Sequence, residues 1–159
     1  MSHRMDYKSA SPGAYKAMSG MELHVRGSGL EHSLLELVKM RVSQINGCAY
    51  CLDMHSKDAR AAGETEQRLH VLAAWREAPF YSARERAALA WAEAVTLVAT
   101  NDLPDALYDE VRAQFEDKEM VDLSLAIITI NGWNRLAIGF RADVGDYQPK
   151  SNYQPKSNG

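Results

Sequence analysis

Apolar residues along this chain recur at spacings of three and four, and no stretch alternates with period two, so the pattern predicts helices throughout and an all-α class. Residues 1 to 11 are polar and loose. Ser11-Pro12 then opens a helix to about Val25, weakened by Gly13 and Gly20. Gly27-Ser28-Gly29 breaks the chain before a helix from about Leu30 to Gln44. Its apolar positions Leu34, Leu37, Val38, Met40 and Val42, continued by Ile45, run nearly all round the axis, so it is expected to be buried. Cys48 to Ala62 contains neither Pro nor Gly, and Gly63 stops it. Asn46-Gly47 offers an N-cap and a break in front, which puts Cys48 at the start of that helix. Further helices are predicted from Thr65 to about Arg76, closed by Pro79, and from the capping box Ser82-Ala83-Arg84-Glu85 to near Thr100-Asn101. Two more run from Pro104 to Phe115, with Leu107 and Val111 four apart, and from Glu119 to about Phe140.

Composition narrows what such a helical chain does. With 159 residues and 46% hydrophobic content it makes one globular domain, expected to span 1–146. A formal net charge of -3, with no basic cluster, argues against a nucleic-acid partner. Met1 to Lys8 lacks the apolar core of a signal peptide, and the longest nearly apolar run, Leu123 to Ile130, is too short to cross a bilayer. No membrane role and a cytoplasmic location are expected. In that reducing compartment a close cysteine pair points to catalysis or metal binding rather than to a permanent staple.

Both cysteines stand together as Cys48-Ala-Tyr-Cys51, with His55 four residues on and Glu36 twelve residues before the first thiol. At about 100° per residue, Cys48, Cys51 and His55 fall within roughly 60° of one another on a helix. They share a face with Leu52, Ala59 and Ala62, while Asp53, Lys57 and Arg60 lie opposite. A helix N-terminus stabilises a thiolate, two thiols at this spacing can close a disulfide, and an imidazole one turn below can shuttle the proton. On spacing alone Glu36 belongs to a stripe with His32, Lys39 and Ser43 that faces either the thiols or water. Tyr50 points away to pack on another helix, and Trp75, Trp91 and Trp133 read as core or interface.

Glu36, the Cys48/Cys51 pair and His55 resemble the core motif of the alkylhydroperoxidase D-like branch of the carboxymuconolactone decarboxylase superfamily. Ile130-Asn131-Gly132-Trp133-Asn134-Arg135 is similar to that family's last long helix. The resemblance covers most of residues 30 to 140 and implies a helical bundle of about six to seven helices. It also implies a thiol-dependent hydroperoxide reductase acting in antioxidant defence, with Cys51 as the peroxide-attacking thiol, Cys48 as resolving partner and proton donor, and Glu36 with His55 as proton relay. The partners it implies are a hydroperoxide and an external dithiol of the lipoyl or thioredoxin type, with no cofactor or resident metal. A homo-oligomer, trimer or hexamer, is expected on the same grounds and because two nearly all-apolar helices exceed what one small monomer covers. Some peroxidases of the family have a second histidine just before the second cysteine, where this chain has Tyr50.

Other chemistries fit the same residues. Cys48, Cys51, His55 and Glu36 form a reasonable Zn²⁺ set for a structural site, although all but Glu36 come from one helix. C-x-x-C also suggests a dithiol-disulfide oxidoreductase, but the βαβ context of thioredoxins is absent. A decarboxylase-type lyase is the family's other branch, which does without this cysteine pair. Two repeats complete the reading. Ile45-Asn46-Gly47 recurs as Ile130-Asn131-Gly132, by chance or as the trace of a duplication. Tyr147 to Asn152 recurs as Tyr153 to Asn158, giving a polar tail over 147–159, either an extended terminus or an arm over a neighbouring subunit.

Overall fold

Glycine and capping side chains divide the chain as the pattern requires, with adjustments at the ends. The computed structural model describes residues 2–149. Those residues form eight α-helices: α1 (Tyr7–Ala10), α2 (Pro12–Gly27), α3 (His32–Asn46), α4 (Ala49–Ala61), α5 (Glu66–His70), α6 (Ala83–Thr96), α7 (Asp105–Arg112) and α8 (Asp117–Phe140). A 3₁₀ turn spans Leu72–Ala74, and no strand occurs among the described residues. The all-α expectation holds, and the bundle has one or two more short helices than expected. None of them is long and apolar enough to cross a membrane. The second copy of the tail repeat lies outside the described residues.

Three boundaries move for identifiable reasons. Asn46-Gly47 does not start α4: Asn46 is the last residue of α3, and Gly47 caps it in the left-handed region at φ 69°, where a Cβ would be strained. Cys48 itself is the N-cap of α4. The expected helix from Thr65 breaks after His70, where Val71 at ψ 4° turns the chain into the 3₁₀ segment. The Ser82 capping box forms with both of its hydrogen bonds, but α6 ends at Thr96, four residues before the expected stop.

Helix α3 is the hub, packed by α4, α6 and α8, and its residues from Leu34 to Met40, with Val42 and Ser43, are all buried. Leu35, Val38, Val42, Ala88, Leu123, Ile127 and Ile130 make the main core, and each buried Leu or Ile there contributes about 1.5–3 kcal/mol. Arg84 on α6 ties the starts of α3 and α8 together by bonding Glu31 at 2.8 Å and Glu119 at 2.7 Å. α2 crosses α8 where Gly132 leaves room: a Cβ there would lie 2.7 Å from Met18 Cε. Trp75 and Trp91 are core residues as expected, and Trp133 is half-buried with its ring against Tyr15 at 5.7 Å.

Candidate functional site

The α3–α4 turn sets the sulfurs in place. Gly47 reverses the chain, the Cys48 N–H donates to Ser43 O at 3.0 Å, and the Cys48 sulfur accepts the Cys51 N–H at 3.4 Å. That contact makes the sulfur a helix N-cap, a position that favours negative charge. Both thiols are free and 1% exposed, and they hydrogen-bond to each other. Receiving the Cys51 S–H lowers Cys48 to about 7 against the opposing effect of burial, assisted by the Cys51 N–H and the Asn134 amide. Cys51 is pushed up because its proton is held by Cys48, with burial and the Cys48 charge adding to this. The pair therefore ionises once readily and a second time only with difficulty, and the resting charge favours Cys48.

Asn134 on α8 faces this pair from 83 residues beyond Cys51, wholly buried. Its Oδ1 accepts from Asn46 Nδ2 at 2.9 Å and its Nδ2 donates to Ser43 Oγ at 3.0 Å, which fixes the amide with its hydrogens towards the sulfurs. The two Ile-Asn-Gly segments meet here, since Asn46 Nδ2 also donates to Asn131 Oδ1 at 2.9 Å. Tyr7 lies near the sulfurs as well, with Tyr50 and Tyr15 close to Tyr7 itself. Burial, then the charges of Tyr50, Cys51, Tyr15 and Cys48, push the Tyr7 phenol up to about 12, so it stays a neutral donor.

One turn further along α4 the chemistry changes from sulfur to charge. His55 Nδ1 donates to Glu36 Oε2 at 2.9 Å, with both residues buried. An ionised carboxylate only accepts, so Nδ1 carries the hydrogen of this contact. Among the described residues the ring makes no hydrogen bond to either sulfur, its partner being Glu36. Burial would raise the Glu36 carboxyl, but the charge and hydrogen bond of His55, then Lys39 and His32, outweigh it and hold the group down to about 2. Lys39 is itself 3% exposed, 2.6 Å from Glu22 and 3.8 Å from Glu36. The stripe of Glu36, Lys39 and Ser43 thus faces the interior rather than water, because α2 and α4 close over it.

On the outer side of this cluster Asp58 accepts the Tyr147 hydroxyl at 2.6 Å, and Lys57 donates to the carbonyls of Gly145 and Tyr147 at 3.1 and 3.0 Å. The first residues of the polar tail are therefore docked on α4 of their own chain. Sequence spacing singled out Cys48, Cys51, His55 and Glu36, and the structure places the four along one side of α4 and α3. It missed Asn134, Lys39, Asp58 and Tyr147. Lys39 was visible as the i+3 neighbour of Glu36, and Asn134 stood inside a segment already singled out, whereas nothing local marks Tyr147.

Metal-ligand spacing gives a different set from the zinc alternative that the sequence left open. Among the described residues, Glu36, His55 and Asp58 have ligand atoms all within 4.8 Å of one another, and neither sulfur joins them. The zinc set of two thiols, His55 and Glu36 is not assembled: the His55 ring is turned to Glu36, and the thiols hydrogen-bond to each other. Lys39 also already supplies a cation beside Glu36.

A model of the carboxymuconolactone decarboxylase family matches residues 12–94. The chain is 47% identical over 138 residues to the uncharacterized protein YdfG of Bacillus subtilis (strain 168), covering 87% of this chain and 94% of that one. It is 39% identical over 59 residues to the alkyl hydroperoxide reductase AhpD of Mycobacteroides abscessus, a match spanning 36% of this chain and 34% of that one. A crystal structure of a protein of unknown function from Agrobacterium tumefaciens, named as a candidate antioxidant defence protein AhpD, superposes with a TM-score of 0.88. The identity is 45%, covering 92% of this chain and 100% of the other.

Proposed function

This chain belongs to the carboxymuconolactone decarboxylase family, in its alkylhydroperoxidase D-like branch, and from that premise we propose that it is a thiol-dependent hydroperoxide reductase. The observation that carries the reading is a pair of free thiols hydrogen-bonded to each other at the N-cap of α4, one turn from an imidazole held by a buried carboxylate.

In this reading the pair holds one proton, resting on Cys51. That proton passes to Cys48 along the hydrogen bond between them, which makes Cys51 the thiolate. Cys51 attacks the outer peroxide oxygen, the O–O bond breaks, and Cys51 becomes a sulfenic acid. Cys48 gives its proton to the leaving alkoxide, which departs as alcohol. The Cys48 thiolate then attacks the Cys51 sulfur, the disulfide forms, and the displaced hydroxide takes a proton from the His55/Glu36 relay to leave as water. An external dithiol, lipoyl- or thioredoxin-type, is oxidised to its own disulfide and returns the pair to its one-proton state, and the second proton of the dithiol restores the one taken from the relay. Tyr7 brings a mostly apolar ring near the sulfurs, which suits an organic hydroperoxide. The reading also includes self-association, supported by exposed Val121 and Ile128, seven residues apart on α8, and light scattering of the purified protein tests it.

One equivalent of tert-butyl hydroperoxide added to the reduced protein tests the chemistry. Expected are the loss of both thiols and a mass lower by about 2 Da, the signature of a disulfide. Cys51→Ser abolishes the reaction, and Cys48→Ser leaves a sulfenic acid on Cys51. A wild type that keeps both thiols overturns the reading.

A further inference from the structure

Cys48 and Cys51 are each 1% exposed, yet both halves of a thiol cycle need a reactant to reach a sulfur. A hydroperoxide must bring its outer oxygen up to one thiolate, and a dithiol must line its own sulfur up behind the S–S bond. The cavities beside Glu36 and beside Trp91 are lined by other residues. Some element over the pair therefore has to move.

The surrounding elements differ in how firmly they are held. α3 and α8 bury nine residues each, whereas α1 buries none, and residues 2–6 ahead of it are all exposed. Local opening becomes harder with every apolar contact an element buries, so the chain before Pro12 is the easiest cover to lift. Tyr7 is the one half-buried residue between positions 2 and 10, and it is the one that lies near both sulfurs.

What holds this segment down is a short set of contacts at the far end of α8. The Arg4 N–H donates to Phe140 O at 3.2 Å, and Arg4 Nη1 donates to Gly139 O at 2.9 Å. These carbonyls belong to the last turn of α8, where the helix supplies no partner and a cation is favoured. Tyr7 lays its ring on Phe140 with centroids 5.7 Å apart, and His3 Nδ1 lies 3.5 Å from Asp143. The Arg4 and His3 side-chain contacts are at the surface, where water can replace them. Within the segment, Asp6 accepts the Lys8 N–H at 3.1 Å and Tyr7 O accepts the Ser11 N–H at 3.1 Å, so the α1 turn keeps its own bonds if it swings. Ser11 is extended at φ -141° and ψ 80° in front of Pro12, which makes it the joint between α1 and α2.

Resting on the peroxidase reading, we propose that residues 3–10 are a lid over the thiol pair, which swings about Ser11-Pro12 to lift Tyr7 away and admit the hydroperoxide and then the dithiol. Arg4 is its latch, on the end of α8. Closed, the lid shields a Cys51 sulfenic acid from a second peroxide until Cys48 has formed the disulfide. Open, it exposes that disulfide to a reactant larger than the peroxide, as lids over dry sites do.

Alkylation of the reduced protein by iodoacetamide at pH 9 reads the lid directly. Cys48, with a pKa of about 7, is ionised there, so differences in rate report access rather than ionisation. Removing residues 2–10 is expected to speed alkylation about 100-fold, as for an open state that is the minor one in the intact chain. Arg4→Ala loses one latch hydrogen bond and gives about 3- to 10-fold, and Tyr7→Ala also gives a gain. Reduction of the Cys48–Cys51 disulfide by dithiothreitol follows the same order. Because α1 buries nothing, the shortened protein keeps the circular dichroism of the remaining helices. Equal alkylation rates in the wild type and the shortened protein overturn the inference, and so does a gain confined to a shortened protein that has lost helix beyond α1. If the wild type keeps both thiols against tert-butyl hydroperoxide, the peroxidase reading fails, while the alkylation rates still decide whether the lid exists.

Discussion

The two ends of α4 stabilise negative charge in opposite ways. At the sulfur end neutral donors act: Cys48 is lowered to about 7 by the Cys51 thiol, the Cys51 N–H and the Asn134 amide. At the other end Glu36 is lowered to about 2 by the charges of His55, Lys39 and His32 against strong desolvation. The difference teaches what each group is fit to do. Neutral donors favour a thiolate modestly, leaving it reactive and able to exchange its proton with a neighbour near neutral pH. Full charges pin the carboxylate in one state over the whole physiological range, which suits a group that orients and polarises an imidazole.

The largest effect is expected from Lys39→Met. It leaves Glu36 and Glu22 as two inward-facing carboxylates without their shared cation, and costs about 3–5 kcal/mol in chemical denaturation. The sulfur end should keep its ionisation in the folded fraction. A Cys48 pKa that moved with Lys39 would show that the two ends are one electrostatic unit.

Next is Asn134→Ala, which takes from Ser43 its amide donor and from Asn46 one of its two acceptors, and removes a donor from both sulfurs, at a cost of about 1–3 kcal/mol. Here the pH midpoint of iodoacetamide alkylation rises above about 7. A midpoint that stays put would leave Asn134 as a structural clamp alone. Gly47→Ala strains the left-handed turn that carries Cys48 and costs about 1–2 kcal/mol. Tyr147→Phe removes one half-buried hydrogen bond to Asp58, about 0.5–1.5 kcal/mol, and leaves the sulfur end unchanged.

Acid titration divides the ends by sign. A carboxyl whose folded pKa is below its ordinary value stabilises the fold above that ordinary value, and the contribution is lost as pH falls. For Glu36 the loss runs from about 4.5 down to about 2, and Glu36→Gln removes that limb. For Cys48 the stabilising contribution grows as pH rises from about 7 towards 9, opposed by the raised Cys51. Cys48→Ser removes the gain, read as thermal midpoint against pH.

Much of the candidate site was legible because it sits on one helix. Cys48, Cys51 and His55 are separated by three and four residues, and a helix converts those separations into one face without help from the rest of the chain. The capping box at Ser82 and the stop at Gly63 were legible for the same reason: their hydrogen bonds close within four residues. The Ile-Asn-Gly echo marks the boundary of that logic. In one copy Gly47 ends α3 in a left-handed turn; in the other Gly132 lies mid-helix, small because Met18 presses on it. The same three letters do different work because α2 crosses one of them and a chain reversal follows the other.

By itself the sequence determined an all-helical chain with two thiols and an imidazole on one face of a capped helix, since helical period and capping act between near neighbours. Whether Glu36, Lys39 and Ser43 met water or the interior was decided only when α2 and α4 closed over α3, because burial depends on what other elements cover. Asn134 reaching the sulfurs from α8, and Tyr147 binding Asp58 across 89 positions of chain, belong to the same class. Such contacts join residues whose separation along the chain carries no information about their distance in space, so packing alone creates them.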